Sequence, residues 1–349
     1  MTWSDALRPV REAAALSDQP ETAVIRVSGE HAWDVLDRQL TCDLYLRDGQ
    51  ARPALLLHED GRVAADVMVL CADETFWLLV DGADGATVSE RLTAAIQSGE
   101  DATVRLETAH TVAGLDGPFA WEVLAAHAGR GVIGLPLLSF FTMDDGTLCL
   151  RDGRLGEYGY RFVAEQGRWS ALDAALCTAA DRVSVPLGRI DRAARRTCML
   201  ENHVFCADSQ GQSDLDAGEL QLGWRLSVDK DVPGLAAVRE RPTRRRTVTF
   251  RAPAGPGVEV ETGGQVIGRV LQAEPCSHGP GWIGLAAVPE ALAHPGISTF
   301  SAGGVSLLTV SPPLVANRSL FINPQHHRWQ DQAAITLPAD PATSRAPGS

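Results

Sequence analysis

Two stretches of the chain share one grammar. AVIRVSGEHAWDVLDRQLTCDL begins with strand-like alternation, turns at a glycine, and continues with Trp33, Leu36 and Leu40 at helical spacing. TVAGLDGPFAWEVLAAH, residues 111–127, repeats this order, with AWEVL answering AWDVL at nearly the same distance from a glycine. A strand and a helix each need a second layer to bury their apolar faces, so the repeat predicts a duplicated α+β region.

Three further strands are predicted between the repeats, in RPALLLHED, GRVAADVMVL and TFWLLVDGA, the first two joined as a hairpin at a glycine turn. The helix ATVSERLTAAIQSG follows. TLCLRDGRLGEYGYRFVAE reads as two strands around a glycine-rich turn, followed by helices in RWSALDAALCTAA and GRIDRAARRTCMLEN. Beyond about residue 240 the texture changes to short alternating strands broken by Gly and Pro, which predicts a separate antiparallel β-barrel. The expected organisation is residues 1–240 as two interleaved α+β domains, the second unit at about 110–180. A barrel at 241–325 and a tail at 326–349 follow, the TLPADPATSRAPGS end expected to be disordered.

Composition narrows the function classes. A net charge of −13 makes the long-range field repel nucleic acid, because phosphate binding depends on Lys and Arg displacing counterions. Local basic clusters at 192–196 and 241–246 could still serve a small anion. No signal-like N-terminus and no run of roughly 18 apolar residues is present, so a cytoplasmic protein without a membrane partner is expected. Seven cysteines, an odd number without a CxxC pair, argue against disulfide partners and a zinc ribbon. His203, Cys206, His326 and His327 have no metal-ligand spacing, and no metal is expected.

In RVAADVMVL, alternation puts Asp66 on one face with Ala64, Met68 and Leu70, an acid in an apolar layer. Buried unpaired, it would cost several kcal/mol unless neutralised by a raised pKa or hydrogen-bonded, by a ligand or by the protein itself. Glu157 sits in a turn where Gly156 and Gly159 allow close backbone approach, and Glu201 follows apolar Met199 and Leu200 at a helix end.

Collinear order adds more than any single motif. IRVSGEHAWDVL, LTCDL, GRVAADVMVL, FWLLVDGA, LDGPFAWEVL, GEYGY, RAARRTCMLEN, LGWRLSVDK, GGQVIGRVL and GWIGLAAVP together resemble the glycine-cleavage T-protein (aminomethyltransferase) superfamily of tetrahydrofolate-dependent one-carbon transferases. The resemblance implies an α+β fold of three domains in a ring, with duplicated ferredoxin-like units and a C-terminal antiparallel barrel closing a central folate channel. It implies catalytic roles for Asp66, beside folate N5, and for Asp81, where the family has an Asn. It implies cofactor-binding roles for Glu201, matching the pterin acid, and for Glu157, Tyr160, Trp224 and Lys230. Two acids that close are expected to push one pKa up and create a general acid or base.

The departures are Pro53 for a family tyrosine, Arg154-Leu155-Gly156-Glu157 for tyrosine-threonine-glycine-glutamate, and Asn202-His203 for a small Ala-Gly. They point to one-carbon transfer with a small-molecule substrate of specialised metabolism rather than glycine cleavage. The alternatives are a folate-binding non-enzyme of the iron-sulfur maintenance type and a scaffold reused for folate-independent acid/base chemistry. The oligomeric state is left open.

Overall fold

The computed structural model describes residues 4–211 and 213–335. Helix α1 (Arg8–Glu12) leads into β1 (Ala14–Asp18), and β2 (Ala23–Ser28) into α2 (Ala32–Asp37). Strands β3 (Gln50–Leu57), β4 (Val63–Ala72) and β5 (Thr75–Asp81) follow, then α3 (Gly85–Ala94) and β6 (Thr103–Leu106). The grammar repeats with β7 (His110–Asp116) and α4 (Ala120–Ala128). It continues through β8 (Phe140–Thr142), β9 (Leu148–Arg151), β10 (Gly159–Glu165), α5 (Gln166–Val183), β11 (Leu187–Arg189) and α6 (Arg192–Glu201). After α7 (Leu235–Glu240), strands β12 (Arg245–Ala252), β13 (Glu259–Thr262), β14 (Gln265–Pro275), β15 (Trp282–Pro289), β16 (Phe300–Ala302) and β17 (Val305–Val310) close a barrel in the order β12-β15-β14-β13-β16-β17.

One sheet has the order β3-β4-β5-β2-β6, the other β11-β1-β7-β10-β9-β8. Strand β1 comes first in the chain yet pairs between β7 and β11, so the two units interleave. The β3–β4 hairpin turns at Gly61, whose φ of +86° is open to glycine at little cost; a Cβ there would also lie 2.7 Å from Val238.

The period of two sorts the side chains of β4 and β5. Val67, Val69, Leu78 and Val80 pack with Leu36 of α2 and Leu92 of α3. Met68, Leu70 and Leu79 face the second sheet and meet Val112, Leu150 and Val163. Each such aliphatic side chain contributes roughly 1.5–3 kcal/mol on full burial. Asp66 lies on this inter-sheet face, two residues before Met68 and opposite Asp81 in register. The alternation read from RVAADVMVL therefore places the acid between the sheets, at the rim of their shared core.

The segment expected to be a tail from 326 packs in part. Trp329 meets Phe119 edge-on at 5.2 Å, and its backbone N–H donates to Glu122 at 2.8 Å. Burial of a large aromatic ring outweighs the local absence of periodicity. The stretch TLPADPATSRAPGS, 336–349, lies outside the described residues. Among the described residues all seven cysteines are free thiols, and no helix is long and apolar enough to cross a membrane.

Candidate functional site

Asp66 and Asp81 are Cα partners on adjacent antiparallel strands, where like charges repel. Arg154, from the β9–β10 loop, resolves the conflict: Nη2 donates to Asp66 Oδ2 at 2.7 Å and Nη1 to Asp81 Oδ2 at 2.6 Å. The remaining oxygens are taken as well. Arg225, in the 3-10 turn Gly223–Arg225, donates to Asp66 Oδ1 at 2.6 Å, and the Thr22 hydroxyl donates to Asp81 Oδ1 at 2.5 Å. Asp66 is 4% exposed and fully engaged, so of the alternatives open to a buried acid the structure shows hydrogen bonding by the protein itself.

The expected raised pKa is corrected. Burial pushes the Asp81 carboxyl up, but the charges of Arg154 and Arg161 and the bonds from Thr22 and Arg154 outweigh it, holding the group below its ordinary value. A carboxylate held ionised between guanidiniums is a weak proton acceptor at neutral pH. It serves better as an anchor for the two arginines.

Above this floor opens a cavity of about 370 Å³ lined by Asp66, Arg154, His203, Phe205, Trp224 and Arg225, with Pro53, Met68 and Leu222 among its apolar walls. Trp224 is 70% exposed and stands beside a second cavity of about 350 Å³ that shares Pro53, Leu138, Trp224 and Arg225 with the first. The Arg225 guanidinium lies 4.8 Å from the Trp224 ring centre and 5.8 Å from that of Phe205, two favourable cation–π contacts.

Arg154 and Asp152 also line a smaller charged space of about 60 Å³, with Asp81, Asp116 and Arg161. Burial and the neighbouring Asp152 push the Asp116 carboxyl up to about 8 against the pull of Arg195, Arg161 and Arg11. The folded state thus binds a proton that the unfolded state, at 3.8, has lost, and this group's contribution to stability falls as pH rises from about 4 to 8. Asp116→Asn is expected to raise unfolding free energy by about 1–3 kcal/mol at pH 8, a gain shrinking toward pH 4. Urea unfolding of both proteins across that range measures it; a gain independent of pH would contradict the raised carboxyl.

The remaining expected site residues fall elsewhere. Glu201 ends α6 at 1% exposure, its carboxylate accepting from Arg11 Nη2. Arg11 also donates through Nη1 to Leu155 O at 3.0 Å and Asn317 Oδ1 at 3.1 Å, and lies 3.9 Å from Glu157. Glu157 accepts from the backbone N–H groups of Arg318 and Ser319 and from the Ser319 hydroxyl. Gly156, at φ +87°, lets the loop approach Asn202 so closely that a Cβ would lie 2.4 Å from its amide. Neither Glu201 nor Glu157 lines the 370 Å³ cavity; Arg11 engages Glu201, and the turn at Arg318 and Ser319 engages Glu157. Tyr160 is buried in the core around Leu115 and Phe119, and Lys230 binds Asp37 at 2.7 Å and the Cys42 carbonyl at 2.8 Å. Neither lines the cavity, whereas Asp66 and Trp224 do.

Sequence reasoning missed Arg11, Arg161 and Arg225, and saw Arg154 only as a departure. A signal existed for Arg154: an arginine in place of an aromatic residue, in a chain with two acids facing one strand pair, implies an internal ion pair.

Helix α6 ends in a Schellman motif, with Val204 N–H bonded to Met199 O at 2.8 Å and His203 N–H to Leu200 O at 3.1 Å. His203 occupies the left-handed position, φ +54°, that glycine ordinarily fills.

Comparison with known proteins places this geometry. The family described as GCVT N-terminal domain matches residues 2–230. An aminomethyltransferase of Chlorobaculum parvum is 29% identical over 231 residues, covering 64% of this chain and 62% of that protein, so the match spans less than two thirds of that relative. An aminomethyltransferase of Streptomyces coelicolor is 28% identical over 311 residues, covering 82% of this chain and 81% of the other. The crystal structure of glycine cleavage system aminomethyltransferase T from Bartonella henselae superposes with a TM-score of 0.77 at 23% identity, covering 87% of each chain, a likeness of fold.

Proposed function

Because the chain belongs to the GCVT family, its residues 2–230 matching that domain, we propose that it transfers a one-carbon group between tetrahydrofolate and a small-molecule substrate, in specialised metabolism rather than glycine cleavage. One observation carries the reading at the site: two cavities of about 370 and 350 Å³ adjoin at Trp224 and Arg225. A transfer between two reactants needs two adjoining volumes in which both are held in register and kept from water.

The donor set fits a flat heteroaromatic ring. Phe205, Met68, Leu222 and Trp224 offer apolar surface, and Arg154, Arg225 and His203 offer a polar edge. Tetrahydrofolate, when bound, supplies the nitrogen that carries the one-carbon unit. Asp66 and Asp81 fix the guanidiniums of Arg154 and Arg225, so the floor presents donors without rearranging. Glu157 has both carboxylate oxygens taken by the turn at Arg318 and Ser319, and Glu201 has Oε2 taken by Arg11, which leaves them little to offer a ring. That engagement favours a second reading, a scaffold working without folate.

Calorimetric titration with tetrahydrofolate and 5-methyltetrahydrofolate separates the two. Wild type is expected to bind both. Trp224→Ala, an exposed change with little cost to the fold, is expected to weaken binding about tenfold through lost ring contact. No binding to wild type would remove the folate reading and leave the second.

A further inference from the structure

We propose that His203 is the hydrogen-bond-accepting residue of the 370 Å³ cavity and selects a bound ring that presents an N–H donor to it; the choice of tetrahydrofolate as first probe rests on the function proposed above. The position argues for a retained side chain. Its φ of +54° at the end of a Schellman motif suits glycine, so the helix end gains nothing from an imidazole there. The side chain lines the cavity, and among the described residues it makes no ion pair and no side-chain hydrogen bond.

Every other titratable group on the cavity wall is already engaged. Asp66 of β4 is held by Arg154 and Arg225, and Asp152 of the β9–β10 loop lies 2.6 Å from Arg161. At the end of α6, from which His203 projects, Glu201 is held by Arg11. The four charged residues that line the cavity with His203, namely Asp66, Asp152, Arg154 and Arg225, therefore offer it no free carboxylate to stabilise an imidazolium. Burial acts in the same direction, holding the imidazole below its ordinary value. A neutral imidazole has one nitrogen with a free lone pair, and a ring N–H is the complementary donor. In the complex the bound ring keeps its proton and donates the N–H to that lone pair, so no covalent bond is made or broken.

The test uses the full chain with histidine ¹⁵N labelling and two probes, tetrahydrofolate and lumazine, a ring with N–H donors and no one-carbon chemistry. His203→Gly suits the left-handed backbone and is expected to fold at least as stably as wild type; His203→Asn, also tolerated there, controls for backbone freedom. The His203 nitrogens, assigned by their loss in His203→Gly, are expected to report a neutral ring at pH 7 and to shift with either probe. Wild-type Kd is expected to rise severalfold from pH 7.5 to 5.0, as the acceptor is protonated, whereas His203→Gly binds more weakly at pH 7.5 and changes less than twofold over that range. Tetrahydrofolate binding with the same pH profile in both proteins would overturn the inference and leave the folate reading standing. Lumazine binding with the expected profile, and no tetrahydrofolate binding, would remove the folate reading and support His203. A charged imidazole at pH 7, or no binding of either probe, would overturn the inference.

Discussion

Arg11→Met is expected to lower the unfolding free energy by about 3–5 kcal/mol, because it strands buried carboxylates whose compensating charge is gone. Arg11 and Glu201 are each about 1% exposed, and no solvent can take over the lost contact. The same guanidinium holds the Leu155 carbonyl and the Asn317 amide oxygen, so acceptors are orphaned along with the acids. A pH signature accompanies the loss. Burial already keeps the Glu157 carboxyl above its ordinary value, despite Arg11 and the bonds from Ser319 and Arg318. An acid raised in the folded state lowers stability as pH climbs above its unfolded value, so the destabilisation should be smaller at pH 5 than at pH 8. Urea unfolding at the two pH values reads both effects. The double variant Arg11→Met/Glu201→Gln should recover a substantial part of the loss; if it recovers nothing, the ion pair is not the cause.

Arg154→Met is expected to cost about 2–4 kcal/mol at pH 7.5 and to reverse the pH response of the site. In wild type the Asp81 carboxyl lies below its ordinary value, so its contribution is present above the unfolded value of 3.8 and is lost only as pH falls through the lower folded one. Without Arg154, burial and the Asp66 charge directly across the strand pair dominate, and the carboxyl rises instead. The variant should then gain stability on acidification from pH 7.5 to 5, where wild type is nearly flat in this term. Arg154→Met/Asp81→Asn should restore more than half of the loss. A single variant as stable as wild type would mean that Thr22 and Arg161 suffice to hold Asp81.

Much of the architecture was legible before any coordinates. The AWDVL and AWEVL repeats became β2–α2 and β7–α4, the Gly61 turn became the β3–β4 hairpin, and the Gly- and Pro-broken stretch after 240 became the closed barrel. Each depends on neighbours within about ten residues, where alternation, helical spacing and turn chemistry act. Asp66 was found for the same reason, because its face follows from counting along one strand.

Its partners were not found. Arg154 and Arg225 lie 88 and 159 residues away, and Arg11 lies 190 residues from Glu201, separations at which no period or spacing carries information. An arginine looks the same in sequence whether solvated or sealed between sheets. By itself, then, the sequence determined the elements, the duplication, the family order and the face on which Asp66 stands. Only the packing of the two sheets against the loop, the 3-10 turn and the first helix decided that Asp66 and Asp81 meet Arg154, that Glu201 meets Arg11, and that His203 borders the cavity. The physical reason is that charge pairing is settled by which side chains meet in three dimensions after the backbone has been placed.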